Sequence, residues 1–187
     1  MPAPILVLNC GSSSVKYQVI DAESEAVAAS GLIERIGLPN GQVTHKTPER
    51  SEQFEAQVPD HGEALRLVVQ CLTDFGPGLD GIIAVGHRAV HGGDRFRAPT
   101  LIDDAVIQGL SDLAVLAPLH NPPGLAGIQA ARADLPGVPH VAVFDTAFFA
   151  DLPPEAYTYA IDKQIAQAYS IRKYGFHGTS HGYVAAK

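Results

Sequence analysis

The opening of the chain constrains its fold most: a strand, a tight turn and a second strand. Residues 5–8 are an unbroken apolar run, the pattern of a short buried strand. Gly11-Ser12-Ser13-Ser14 then turns the backbone. From there the pattern alternates, with Val15, Tyr17 and Val19 on one face and Lys16, Gln18 and Asp21 mostly on the other. A third strand is expected within residues 26–36. Residues 37–62 are polar and turn-rich, with Pro39-Asn40-Gly41 the strongest turn, and a short strand at 42–46 is compatible with them.

Beyond residue 60, helical and strand patterns alternate. Leu65, Val68, Val69 and Leu72 stand at helical spacing, and Gly76-Pro77-Gly78 ends that helix. Residues 82–85 read as a buried strand leading into Gly86-His87-Arg88. Asp103 is placed to cap a helix whose apolar stripe is Val106, Ile107, Leu110 and Leu113. Pro122-Pro123 interrupts, and helix is expected to resume over 124–133. A strand over 138–144 ends at Asp145, and helices are expected at 165–169 and from 178. This order gives an α/β domain with a mixed sheet, antiparallel at its start and parallel where helices cross over.

The 187 residues, 46% hydrophobic and 18% charged, fit one soluble domain with a core. A net charge of −7 argues against a broad basic face for nucleic acid, though not against a local cationic cluster around a small anion. Residues 1–9 lack a basic start, and no run approaches the ~20 apolar residues of a membrane span. Cys10 and Cys71 form no metal-ligand spacing and read as buried thiols of a reducing cytoplasm.

Five segments carry chemistry. Asn9-Cys10-Gly11-Ser12-Ser13-Ser14-Val15-Lys16 offers N–H, hydroxyl and ammonium donors to a phosphate, or is a plain Gly-Ser hairpin. It is no Walker A loop, because Val15 stands where Gly is needed before the Lys. In Gly86-His87-Arg88-Ala89-Val90-His91-Gly92-Gly93-Asp94-Arg95-Phe96, Arg88 is a planar fork for carboxylate or phosphate. His87 and His91 have zinc-like spacing, but Gly92-Gly93 and the preceding strand oppose the helix such a pair needs. Ala117-Pro118-Leu119-His120-Asn121-Pro122-Pro123 lies between helices, its plain reading a helix break with Asn121 in the turn. Asp145 ends a strand, where a carboxylate holds Mg²⁺ or a water on it, or caps the next helix. Tyr174-Gly175-Phe176-His177-Gly178-Thr179-Ser180-His181 sets two His beside a helix start, where anions are attracted. Donation to a phosphoryl oxygen, zinc ligation, general-base work and a structural role are all open to these His. Together the segments describe one site: a phosphate hairpin, an Arg loop, a strand-end Asp and a helix-start His.

In their order and wording these segments, from Leu8-Asn9-Cys10-Gly11-Ser12-Ser13-Ser14-Val15-Lys16-Tyr17 to Tyr174-Gly175-Phe176-His177-Gly178-Thr179-Ser180-His181, resemble the acetate kinases, and the likeness runs from residue 5 to the last. That family lies in the actin-like ATPase superfamily, built of two ribonuclease H-like domains with the active site in the cleft between them. The resemblance implies reversible Mg²⁺-dependent phosphoryl transfer from ATP to acetate, giving acetyl phosphate and ADP. It assigns Asn9 to Mg²⁺ and Ser12, Ser14 and Lys16 to the nucleotide phosphates. Arg88 would grip acetate and the transferring phosphoryl group. Asp145 would be the catalytic acidic residue, holding metal and water rather than acting as a base, since acetate is already anionic. His177 would stabilise the transition state with His120 in support, and Val90, Leu119 and Phe176 would line the methyl pocket.

The resemblance further implies that residues 1–187 are an N-terminal ribonuclease H-like domain. A second domain, carrying the adenosine motifs and most contacts of a homodimer, would lie outside them, and this chain alone would be inactive. No nucleic-acid or membrane partner is expected. Four positions depart from the family pattern: Phe149 for His, Cys10 for Ala, Ala89 for Val and Asp162 for Pro; none removes an assigned catalytic residue. The rival readings are a propionate or butyrate kinase, a zinc hydrolase built on the eight histidines, and a non-catalytic actin-like domain. One methylene is worth only ~1–3 kcal/mol in an apolar pocket, so propionate is expected as a slower substrate.

Overall fold

The opening hairpin seeds an eight-stranded mixed sheet. A computed structural model describes residues 3–187; Met1 and Pro2, the start of the stretch read for targeting and of the 1–187 domain, lie outside the described residues. Strand β1 (Pro4–Cys10) pairs antiparallel with β2 (Ser14–Asp21), and β3 (Val27–Glu34), β4 (Gly41–Lys46) and β5 (Ser51–Ala56) continue the meander. β5 departs from the expectation of a turn-rich stretch. Its Ser-Glu-Gln-Phe-Glu-Ala carries too little apolar alternation to announce a strand, yet that polarity suits a sheet edge.

Helix α1 (His61–Asp74) starts at Asp60, whose carboxylate accepts from Glu63 N at 2.9 Å. It leads to β6 (Ala84–Ala89), which runs parallel to β1. The expected strand at 82–85 is therefore corrected: pairing with β1 and later β8 carries the strand through Gly86-His87-Arg88-Ala89, so Arg88 is a strand residue. A two-residue strand, β7 (Thr100–Leu101), precedes α2 (Asp104–Asp112), which Asp103 caps through Val106 N at 2.8 Å. Helix α3 (Asn121–Asp134) begins before the two prolines instead of after them. In a first helical turn the missing proline N–H groups have no intrahelical partner to lose. Strand β8 (His140–Phe144) runs parallel to β6, and α4 (Pro154–Tyr157), α5 (Lys163–Ala168) and α6 (Gly178–Ala186) complete the chain. Asp162, the departure from proline, caps α5 by accepting from Gln164 N and Ile165 N. The strand order is β5-β4-β3-β2-β1-β6-β8-β7.

One face of the sheet is closed by helices. Leu6, Leu8, Val15, Tyr17, Val19, Ile33 and Val43 pack there against Leu65, Val68 and Leu72 of α1. A second cluster, around Phe96, Leu110, Ile128, Ala142 and Phe144, fills the other end. Within the core, His140 Nε2 donates to the Leu135 carbonyl (3.0 Å), which leaves its Nδ1 to accept from His87 Nε2 at 2.9 Å. His87 is thus committed to His140 and not to His91. Among the described residues no three His, Cys, Asp or Glu side chains converge on a metal position, so the zinc reading finds no support.

Tyr17, Gly31 and His45 sit opposite one another on three adjacent strands, and the Tyr17 ring crosses Gly31 to reach His45 Nδ1 at 2.6 Å. A methyl group at Gly31 would fall on that ring. Gly31→Ala is therefore expected to cost about 1–3 kcal/mol through overpacking and the strained Tyr17–His45 bond. Urea unfolding checks this: the midpoint should fall at unchanged slope. An unmoved midpoint would mean that the ring has room to swing away.

Candidate active site

Strands β1, β6 and β8 run parallel, so their carboxyl ends meet at one edge of the sheet, where open α/β sheets bind ligands. Each supplies a side chain. Arg88, on the face opposite the helices, sends Nε to Asp145 Oδ1 at 3.1 Å and Nη2 to Oδ2 at 2.6 Å. Its Nη1 reaches Asn9 Oδ1 at 3.3 Å. Asp145 is 1% exposed, while the Arg88 side chain keeps 32% of its surface open. A buried carboxylate thus clamps a half-open guanidinium in a fork-on-fork pair. Three of the five Arg N–H groups are used, and one on each Nη remains for a ligand.

Helix α6 docks directly onto this pair. Gly178 N donates to the Asp145 carbonyl at 3.1 Å, and Thr179 Oγ1 reaches Asp145 Oδ1 at 3.3 Å. A side chain at Gly178 would run into that carbonyl, so only glycine lets the helix start so close. His177 caps α6 in a left-handed conformation (φ 56°). The Asp145 side chain serves Arg88 and Thr179, not a helix cap.

A cavity of about 500 Å³ opens beside the pair, lined by Arg88, Val90, Leu116, Ala117, Pro118, Leu119, His120, Asp145, Phe176 and His177. Seven residues assigned from the sequence therefore share one chamber: Arg88, Val90, Leu119, His120, Asp145, Phe176 and His177. Asn9 joins it through Arg88. Lys16 does not line it. Lys16 faces an open trough of about 590 Å³ on the uncovered side of the sheet, with Asn9, Gln18, Thr44 and Lys46, so Asn9 links the two spaces. Ser12 and Ser14 sit on the hairpin turn and are not among the residues lining either space. That turn is pinned by Gly11 N on the Ser14 carbonyl (2.8 Å) and by His61 Nε2 on the Gly11 carbonyl (2.7 Å). Phe149, where the family pattern has His, packs edge-on to Phe148 and His181. Sequence reading missed Thr146 and Thr179. Thr146 Oγ1 accepts from Gly92 N at 2.9 Å, and its place directly after Asp145 was the available signal.

The oxygen donors suit a hydrated hard cation. Asp145 Oδ2 and Asn9 Oδ1 each accept one bond from Arg88, leaving a lone pair apiece. Mg²⁺ takes one or two protein oxygens and keeps its waters, so this pair fits it. Because Arg88 already neutralises Asp145, the ion fits best when carried by phosphate groups.

The chain matches the Acetokinase family over residues 4–187. It is 52% identical over 183 residues to an acetate kinase of Clavibacter michiganensis, covering 97% of this chain and 46% of that one. An acetate kinase of Desulfitobacterium hafniense is 49% identical over 188 residues, with 98% and 47% covered. Among solved structures, Porphyromonas gingivalis acetate kinase superposes with a TM-score of 0.93 at 41% identity, over 98% of this chain and 47% of that one. A propionate kinase from Francisella tularensis gives 0.92 at 38%, over 97% and 47%. The hairpin-led mixed sheet with flanking helices is an actin-like ATPase, ribonuclease H-like fold. Asn9, Arg88 and Asp145 meet at the carboxyl ends of its parallel strands. The chain belongs to the acetokinase family. It spans about half the length of the curated relatives it matches. No described helix is long and apolar enough to cross a membrane.

Proposed function

We propose that this chain is the acyl- and phosphoryl-gripping half of an acetate kinase, which moves the γ-phosphoryl group of ATP to acetate and back. The observation that carries the reading is the Asp145-clamped Arg88, with two N–H groups free, at the wall of a cavity whose apolar lining includes Val90, Leu119 and Phe176. Cation and apolar wall together match a carboxylate bearing one methyl group.

In this reading a carboxylate oxygen of acetate attacks the γ-phosphorus as the bond to the ADP oxygen breaks. No base is needed, because the acid is ionised at neutral pH. Negative charge spreads over the phosphoryl oxygens, and catalysis is their positioning and neutralisation. Arg88 supplies two donors held in a fixed plane, and Asp145 keeps that plane from turning. His177 and His120 donate from the other walls. Lys16, in the trough that Asn9 joins to the chamber, would face the nucleotide phosphates, with Ser12 and Ser14 on the adjoining turn. Asn9 and Asp145 Oδ2 would hold Mg²⁺, which when bound shields the phosphate charge. A homodimer of the complete protein belongs to the same proposal.

A second reading, propionate as acceptor, is supported by the similarity to a propionate kinase. Trapping acyl phosphate as hydroxamate tests both. The chain alone should give none. Joined to the second half of the Clavibacter relative it should give acetyl hydroxamate, and less propionyl hydroxamate. Robust product from the chain alone would overturn the division of labour proposed, and a dead joined protein would overturn the activity.

A further inference from the structure

Two buried polar side chains beside the cavity, His91 and Asn121, take no part in the chemistry above. They form one knot. Asn121 Oδ1 accepts from His91 N at 3.3 Å, and its Nδ2 donates to the His91 carbonyl at 3.1 Å and the Leu113 carbonyl at 3.4 Å. His91 Nδ1 accepts from Gly93 N at 3.0 Å, which fixes the ring proton on Nε2. The His91 ring meets Tyr174 edge-on at 4.5 Å and Phe176 at 5.7 Å.

The knot lies next to three of the cavity's apolar walls, those of Val90, Leu119 and Phe176. Val90 precedes His91 in the chain, and Leu119 and His120 precede Asn121. Phe176 rests on the His91 ring. A wall on its own can retreat by a methylene's width; three walls tied to one buried, fully directed hydrogen-bond set cannot do so separately. We infer that His91 and Asn121 are positioning residues that fix the width of the acyl pocket, and so determine acceptance of a two-carbon over a three-carbon carboxylic acid without touching either. This rests on the proposed acid-binding role of the cavity.

The test is a titration of the 187-residue chain with acetate and with propionate at constant ionic strength, followed by the imidazole NMR signals of His120 and His177. The native chain should bind acetate more tightly. Asn121→Ala should shift the acetate-to-propionate affinity ratio toward propionate by about five-fold or more, within the span one methylene can command. His91→Ala, which removes the ring under Phe176, should shift it the same way and serves if the first variant does not fold. Val68→Ala, on the core face of α1, lowers stability without touching the knot and should leave the ratio unchanged. An unchanged ratio in the Asn121 and His91 variants, with native binding intact, overturns this inference alone. If neither acid moves the two signals in the native chain, the acid-binding reading falls and the inference with it.

Discussion

Arg88→Lys is expected to lose transfer activity almost as completely as Arg88→Ala, by about two to three orders of magnitude in kcat, the range seen when one preorganised charge donor is removed. Arg88 makes three directed bonds at once, two to Asp145 and one to Asn9, and still presents N–H groups to the cavity. A lysine ammonium has three donors on a flexible stem and cannot hold that plane. Both variants also leave Asp145 buried with a poorer partner. Stripping one member from a fully buried pair costs about 3–5 kcal/mol; with Arg88 a third exposed, solvent screening reduces this to about 2 kcal/mol for Arg88→Ala. The joined protein in the hydroxamate assay reads the first loss, and urea unfolding of the chain reads the second. Retention of more than a tenth of the activity by Arg88→Lys would show that the fork geometry is dispensable.

Acid should unfold this chain through its buried histidines. Burial, with His140 beside it, pushes the His87 imidazole down to about 3, and burial lowers His45, His91 and His140 as well. The unfolded chain takes up these protons near pH 6.5, whereas the folded chain refuses them. The contribution of His87 is therefore complete above about pH 6.5 and is lost as pH falls toward about 3. While only the unfolded state is protonated, one such group removes about 1.4 kcal/mol per pH unit, or about 2 kcal/mol between pH 6.5 and 5. His87→Gln keeps a donor for His140 but cannot titrate, so its stability should fall less steeply by that amount. The His87 ring signal in the native chain should stay in its neutral position at pH 5. Titration of that signal near 6.5 would contradict the packing assigned to the pair.

Local pattern carried the sequence reading a long way. Alternation in Val15, Tyr17 and Val19 located β2, and Asp103 located the start of α2, because each signal is written in neighbouring residues. The errors fall where distant partners decide. β5 exists because β4 offers it an edge, and Arg88 belongs to a strand because β1 and β8 flank it. The site shows the same division. Residue types and segment order picked out Arg88, Asp145 and His177, but not that Asp145 would serve Arg88. That pairing joins residues 57 apart and depends on β6 and β8 lying side by side. Nor does any local pattern single out Thr179 or the His91–Asn121 knot, whose partners meet only after α3 and α6 have docked.

In the proposed reaction the Arg88 chamber, and not the open trough, takes the acid and the phosphoryl group. A crystal structure of the joined protein with acetate, Mg²⁺, ADP and aluminium fluoride as a phosphoryl mimic decides between the two spaces. The acetate methyl should lie among Val90, Leu119 and Phe176, with the mimic about 3 Å from the free Arg88 N–H groups and the Arg88–Asp145 pair unbroken. Acetate and mimic lodged in the trough between Lys16 and Lys46, with Arg88 touching only Asp145 and Asn9, would contradict this assignment.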